Sequence, residues 1–491
     1  MTSTSKAMRT GAAGASRSCI WAVALGLVVL ASPALASYPG SNGHIAYTKL
    51  VDKGTDNERR AVFIDGGQVS SPLARGAGLN DRDMYPAFSP DGKQIAFVRQ
   101  MGDTQAYVFY IANSDGTNAR TLATLGDLDN QQAYPINSTA PKSLVWSPDG
   151  TRIGFVRTHL SAPLFVDTIM AVTVPDGFFQ NVAADPGAGL PLPGFDWRGQ
   201  GPGKVGKLLY RCSGANPPNI LFCAADEGTN GVPTAYAPDP PELPVQNYLP
   251  ANAIPQWLPP TQATGGDPRV MFLWRVPVSA GPDTIYVTSI FSMLPWSNFV
   301  DSSAVGSDLV EATPGRDTVS CITVQSGVSH TFYAPRYEYG NPVPSPDGNY
   351  FVAPRIENEY QLIRDGDNTT CQIKNGTPDL YTFRNQGGTQ GLIDSDIDTS
   401  FGLTWQPSPA NVSVTVTDGH GDELHGLAVE LRDIDDSTKI LYGNPLNRVG
   451  GQYLFDSIPP GRYALRATLV DKESNAFEIR HDYPADEPVW A

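Results

Sequence analysis

The sequence predicts an all-β protein: a six-bladed β-propeller closed by both termini, followed by a small C-terminal β-sandwich. Three observations carry this. A twelve-residue phrase is written twice with few changes, "FSPDGKQIAFVR" from Phe88 and "WSPDGTRIGFVR" from Trp146, and returns as "PVPSPDGNYFVAPR" around Ser345. The 48 Gly and 43 Pro among 491 residues punctuate many short strands and turns rather than build helices. From Ala410 onward the phrase is gone, and apolar residues alternate with period two, as in half-buried strands.

The N-terminal segment stands apart from the fold. Lys6, Arg9 and Arg17 precede an apolar run from Cys19 to Ala31, and "SPALAS" follows with small residues at Ala34 and Ala36. A basic start, a short apolar stretch and small residues at the end read as a secretory signal peptide over 1–36. No membrane insertion is expected after its removal, because no other stretch is long and apolar enough to span. Losing those three cations takes the formal net charge from −16 to −19. Such a balance speaks against nucleic acid, whose phosphates recruit Lys and Arg.

The repeated phrase has its own physics. Phe88 or Trp146 ends one strand, "SPDG" turns the chain, and "KQIAFVR" or "TRIGFVR" forms the next. Pro presets φ early in such a turn, Asp bonds its own backbone, and Gly takes the positive-φ position. A third strand ("YVFYIANSDG", "VDTIMAVTVPDG") and a fourth ("ARTLATL") complete a four-stranded unit. Degraded copies continue at Trp197 with "KLLYRC" and "NILFCAADEG", and at Trp257 with "RVMFLWRV" and "TIYVTSIFS". At Trp405 the first strand stands without its continuation, which "NGHIAYTK", "AVFIDGG" and "SSPLARG" supply from the other end of the mature chain. That gives six blades over 37–409, with inserted loops between Trp257 and Ser345. Building the last blade from both ends removes the exposed edges of an open ring.

"YPAFSPDGKQIAFVR", "SLVWSPDGTRIGFVR" and "PVPSPDGNYFVAPR" resemble the WD-like repeats of TolB-like six-bladed β-propellers. This resemblance implies a periplasmic or secreted propeller that binds proteins or serves beside an enzyme. Over 410–491, "VTDGHGDELHGLAVEL", "GGQYLF" and "IPPGRYALRA" resemble the carboxypeptidase regulatory-like, prealbumin-type sandwich. That likeness implies a spacer or docking module without chemistry of its own.

Four cysteines remain in the mature chain, and an even number in an oxidising compartment suggests two disulfides among three connectivities. Cys212 with Cys223 is favoured, because "KLLYRC" and "NILFCA" read as paired strands, which leaves Cys321 with Cys371. Without CxxC or a nearby His pair, zinc finds no support.

No GxSxG or HExxH is present. "GPGKVGKL" puts Leu208 where a phosphate loop needs Ser or Thr, and leads into a strand instead of a helix. "HGDELH", with His420 and His425, reads as a turn between strands. "IDSDIDTSFG" carries Asp394, Asp396 and Asp398, which an extended segment would set on one side, as calcium favours. It lacks the Gly and Glu of a calcium loop, so no cofactor is expected and calcium stays as the alternative. Trp146, Trp197, Trp257 and Trp405 recur at one blade position and are assigned to the core. Candidate ligand-binding residues at the channel mouth are Asp81, Asp83, Tyr85, Tyr134, Asp196, Tyr337, Asp394, Asp396 and Asp398.

The function expected from this reading is an exported, non-enzymatic binding or scaffold protein. Its propeller face would bind an envelope or extracellular protein or glycan. The alternative is a polysaccharide lyase or hydrolase drawing its acid and base from channel carboxylates such as Asp83, Asp196 and Asp394, held at separated pKa values.

Overall fold

The computed structural model describes Leu27–Val28 and residues 41–490, outside 77, 126–140, 162–163, 184–191, 199–206, 214–219, 227–233, 237–252, 259–268, 281–282, 294–307, 312–317, 326–327, 366–367, 385–390, 400, 409, 417–426, 434–439, 444–446, 450–451, 459–461, 470–476 and 480–488. Tyr134, "HGDELH" and most of the N-terminal segment and "GPGKVGKL" lie outside the described residues. The described elements are antiparallel strands, gathered into six propeller sheets and two further ones. Among the described residues, no helix is long and apolar enough to cross a membrane.

Blade one runs Arg82–Phe88, Gln94–Gln100, Tyr107–Asn113, Arg120–Thr124, in that spatial order. Blade two is Lys142–Trp146, Arg152–Ser161, Leu164–Thr173, Phe179–Ala183. Blade three is Phe195–Arg198, Lys207–Ser213, Ile220–Asp226, Thr234–Tyr236. Blade four is Gln256–Leu258, Arg269–Ala280, Asp283–Met293, Asp308–Glu311. Blade five has Val343–Pro344, Tyr350–Asp365, Asp379–Arg384 and Gly391–Asp394. Blade six joins Leu403–Ser408 to Ser41–Val51, Arg59–Ile64 and Gly67–Gln68, with Trp405 the register partner of Ile45. The last sheet is therefore built from both ends, as the orphan strand at Trp405 implied.

The first strands of the six blades touch in cyclic order, one to two through six and back to one. They are the innermost strands, and the cores lie between blades. Phe88, Ile95, Phe97 and Ala112 of blade one pack on Ala46 and Val62 of blade six. Ala96, Val98, Phe109 and Ile111, from the other face, pack on Trp146, Phe155 and Met170 of blade two. Trp146, Trp197 and Trp257 are fully buried, and Trp405 is half-buried beside Ile45 and Tyr47. Trp146 Nε1 donates to the Ala87 carbonyl of the preceding blade at 2.9 Å, so the tryptophan both fills and fastens the seam.

The repeated turn closes alike in all three strong copies. Ser89, Ser147 and Ser345 each donate Oγ–H to the Asp two residues on, at 2.5–2.6 Å. Each hydroxyl also accepts the N–H five residues on at 2.9 Å. The glycine, Gly92, Gly150 or Gly348, has φ of 68–69°. The phrase is a structural unit.

A second recurrence lies in the inner strands. Tyr85, Ser143 and Gly402 stand three residues before Phe88, Trp146 and Trp405, and all three have positive φ. In blades one and two the register with the second strand shifts there, a bulge that turns a peptide toward the centre.

One expectation needs correction. "SSPLARG" is not the fourth strand of blade six. Asp65 and Gly66, both at positive φ, turn the chain so tightly that Gly67–Gln68 pairs back immediately. Cys212 and Cys223 lie on paired strands as expected, Cys212 facing Leu221 and Cys223 facing Tyr210, which makes the two diagonal neighbours.

The two faces of the propeller differ. Inner strands start on one face and the serine turns close the opposite face, so second-to-third hairpins rise on the starting face. Those strands have 7 residues each in blade one, 10 each in blade two, and 12 and 11 in blade four. In blade five the second strand runs 16 residues, and its outer half pairs with Asn368–Asn375. Thr318–Gln325 and Val328–Pro335 extend that arm, joined through Val324 and Thr369. Cys371, on the arm, is disulfide-bonded. Ile322 and Leu362 on this arm are 60 % and 53 % exposed.

Beyond blade six the chain changes sheets. Ala410–Val416, Gln452–Ile458 and Asn447–Val449 form one, with Leu27–Val28 at its edge. Leu427–Asp433, Ile440–Tyr442, Arg462–Leu469, Phe477–Ile479 and Val489–Trp490 form the other. Both contribute to one core, Val414, Tyr453 and Phe455 meeting Leu427, Val429, Leu431 and Leu465.

Candidate functional site: the seam between blades six and one

Most of the predicted acidic residues gather where blade six meets its neighbours, on the face where inner strands start. Each carboxylate there is already engaged. Asp394, ending Gly391–Asp394, accepts Lys49 Nζ at 2.8 Å and the Tyr47 hydroxyl at 2.6 Å. Burial opposes its charge, but Lys49, Tyr47 and the Ser395 N–H hold the carboxyl below the usual range. The same arrangement, led by burial, pushes the Tyr47 phenol up. Asp396 takes Lys53 at 2.7 Å, and Asp398 takes Arg60 Nε at 2.7 Å.

The three aspartates do not present one shared oxygen cage, because the segment is not extended throughout. Asp396 has a φ of 60°, and Ile397 forms an isolated bridge to Lys49. Each carboxylate meets its own cation, and all three cations come from the N-terminal strands of blade six or the turn between them. Among the described residues, no group of three or more His, Cys, Asp or Glu is placed to hold a metal. The cluster fastens the first and last segments of the propeller together.

On the blade-one side, Asp83 is fully buried and bidentate with Arg99, Nε to Oδ1 at 2.6 Å and Nη2 to Oδ2 at 2.8 Å. Burial pushes the Asp83 carboxyl up, against the pull of Arg99 and Ser70. Asp81, also fully buried, accepts Arg75 Nε and the Gly102 N–H, both at 3.0 Å. Tyr85 sits at the inner-strand bulge. Its N–H donates to the Phe401 carbonyl at 2.7 Å, and its ring meets Phe401 edge-on at 5.6 Å. Burial pushes its phenol up to about 12, with Tyr107 and Asp398 adding to the rise.

The remaining candidates lie elsewhere. Asp196 is buried in blade three and accepts the N–H of Trp197 at 2.8 Å and of Trp257 at 2.7 Å, so it staples two inner strands. Tyr337 belongs to a short strand pairing with Tyr350–Asp365, and Arg355 stacks between its ring and that of Tyr381 at 4.5 and 3.9 Å.

Sequence reasoning missed the cations. Lys49, Arg99, Arg157 and Arg355 each stand four residues after the matched apolar position (Ile45, Ile95, Ile153, Phe351) of the second strand. That recurrence of "IAYTK", "IAFVR", "IGFVR" and "FVAPR" was visible, and in blades six and one its cation meets a carboxylate, Lys49 with Asp394 and Arg99 with Asp83.

No family model matches the chain, and no curated protein matches it in sequence. Among solved structures it is similar to the β-propeller domain of the Trilobed protease from Pyrococcus furiosus, at 11 % identity and a TM-score of 0.29, covering 70 % of this chain and 93 % of that one. A chain of a nidogen/laminin complex gives 10 % and 0.32, covering 74 % and 98 %. Oligogalacturonate lyase from Vibrio parahaemolyticus gives 8 % and 0.31, covering 76 % and 85 %. Values this low carry no argument about activity. These neighbours include enzymes and a binding protein alike, and the chain is an all-β protein with a β-propeller.

Proposed function

We propose that the protein is an exported, non-enzymatic binding or scaffold protein. Its hairpin-bearing propeller face would hold an extracellular or envelope protein or glycan. The observation that supports this is the state of the predicted carboxylates. Asp83, Asp394 and Asp398 are each committed to a cation, and Asp196 to two backbone N–H groups. General acid–base work needs a carboxyl free to exchange its proton at a reacting atom. A rim raised by hairpins of unequal length suits recognition of one shape. In this reading the TolB-like likeness of the repeats and the regulatory-like likeness of the C-terminal sheets describe a binding ring with a docking module.

The test is affinity capture from the native envelope and culture fluid with the mature chain as bait, beside a bait deleted of 318–335. A partner retained by the first and lost from the second is expected. Sugar cleavage by the purified protein, abolished by Asp83→Asn, would replace this reading with the polysaccharide-active one.

A further inference from the structure

We infer that the seam between blades six and one carries a carboxylate-binding site built on Arg60, Arg82 and the hydroxyls of Tyr85 and Tyr107. The inference rests on the reading of this face as a binding face, and names the chemical group it takes.

Arg60 comes from the second chain segment of blade six, Arg59–Ile64. Asp398 holds its Nε at 2.7 Å, and its guanidinium lies over the Phe401 ring at 4.3 Å. Nitrogen and plane are thus both fixed. Among the described residues, nothing accepts from the two terminal nitrogens, and the side chain keeps 23 % of its exposure. An arginine clamped at Nε and flat against an aromatic ring offers its remaining N–H groups as a preset fork, whose geometry matches a planar carboxylate. Fixing the fork in advance removes the rotamer entropy that a free arginine would lose on binding.

Tyr85 and Tyr107 complete the surroundings. The Tyr85 phenol lies close enough to Arg60, Asp398 and Tyr107 for their charges to act on it. Arg82 acts on Tyr107 in the same way. Arg82 begins the inner strand of blade one opposite Gln100, which in turn faces Tyr107, so the three share one row across the sheet. Arg82 is half-buried and has no ion pair among the described residues. One acid, Asp398, thus stands between two arginines and two phenols, all half-buried. In a chain of net charge −16, two guanidiniums against one carboxylate leave one positive charge here to meet an anion. Both phenols stay protonated at neutral pH, since burial raises them, and so remain donors.

The chemistry is that of a carboxylate, whether on a small free acid or at the end of a peptide chain. The experiment titrates the mature protein by calorimetry with acetate, with an acetylated tripeptide ending in a free carboxylate, and with the same peptide amidated. Saturable binding of one or both carboxylates is expected, and acetate against peptide tells the two sources apart. The amide is expected to bind at least about tenfold more weakly, as loss of a charge-assisted pair requires. Arg60→Lys keeps the charge but not the fork, and is expected to weaken binding about tenfold. Arg82→Gln and Tyr85→Phe each weaken it severalfold, whereas Arg120→Gln, on an exposed outer strand, leaves it unchanged. A thermal melt for each variant separates lost binding from lost folding. Equal binding of acid and amide, full binding by Arg60→Lys, or no carboxylate binding by the folded protein would overturn the site. If capture of a partner persists while carboxylates fail, the site is wrong and the binding function stands. If carboxylates bind and no partner is captured, the reverse holds.

Discussion

At the scale of single residues, the serine turn shows how one side chain replaces several backbone contacts. Asp149 accepts from Ser147 Oγ at 2.6 Å and from the Thr151 N–H at 3.0 Å. Asp149→Ala leaves both donors to water, and a loss of about 1–3 kcal/mol is expected in urea unfolding. Burial opposes the Asp149 charge, but these donors and Arg152 hold its carboxyl below the usual range, as Lys49 and Tyr47 do for Asp394. Both carboxyls are depressed in the folded state, so the sign is fixed. Their stabilisation is complete above the ordinary carboxyl pKa, roughly 3.9, and is lost as pH falls through the lower folded values. Melting temperatures taken between pH 7 and pH 2 should drop below about pH 4, and Asp394→Asn should flatten that drop. A drop of unchanged size in Asp394→Asn would show that the ion pair does not contribute.

At the scale of elements, two glycines of the same turn carry different burdens. Gly92 and Gly150 share φ near 68°, so alanine at either meets the left-handed penalty of roughly 1–2 kcal/mol. A Cβ on Gly92 would also stand 1.8 Å from the Pro407 carbonyl of blade six, whereas on Gly150 the nearest atom is 3.9 Å away. Gly92→Ala should therefore destabilise by some 1–3 kcal/mol more than Gly150→Ala in denaturant unfolding. Equal losses would mean the blade-six strand can move aside. The sequence carried the turn in full, since Ser, Pro, Asp and Gly each state a local requirement. It could not carry the approach of Pro407, because contacts between elements far apart in the chain leave no local pattern. The acidic run at Asp394–Asp398 failed for the same reason. Alternation suggested one shared face, but Lys49, Lys53 and Arg60, some 340 residues away, decided where each carboxylate went.

At the scale of the molecule, the Asp83–Arg99 pair ties the first two strands of blade one together, and the tryptophan seams hold neighbouring blades in place. Asp83→Ala leaves a buried guanidinium without its fork, and about 3–5 kcal/mol should be lost, read as a shift in the urea midpoint. Trp146→Ala should cost a similar amount, about 3–5 kcal/mol, through the cavity it leaves between blades one and two. The ring was legible because its unit repeats, and the closing blade because its halves complement each other. Blade five's arm was seen only as inserted loops, since its strands repeat nothing. Closure from both ends also sets an order of events. Ser41–Val51 finds its partner only when Leu403–Ser408 is available, so the sheet that seals the ring is the last of the six blades that a chain emerging from its N-terminus can complete. A ring built this way stays open until residue 408 has been made, and locks only when its first and last strands meet.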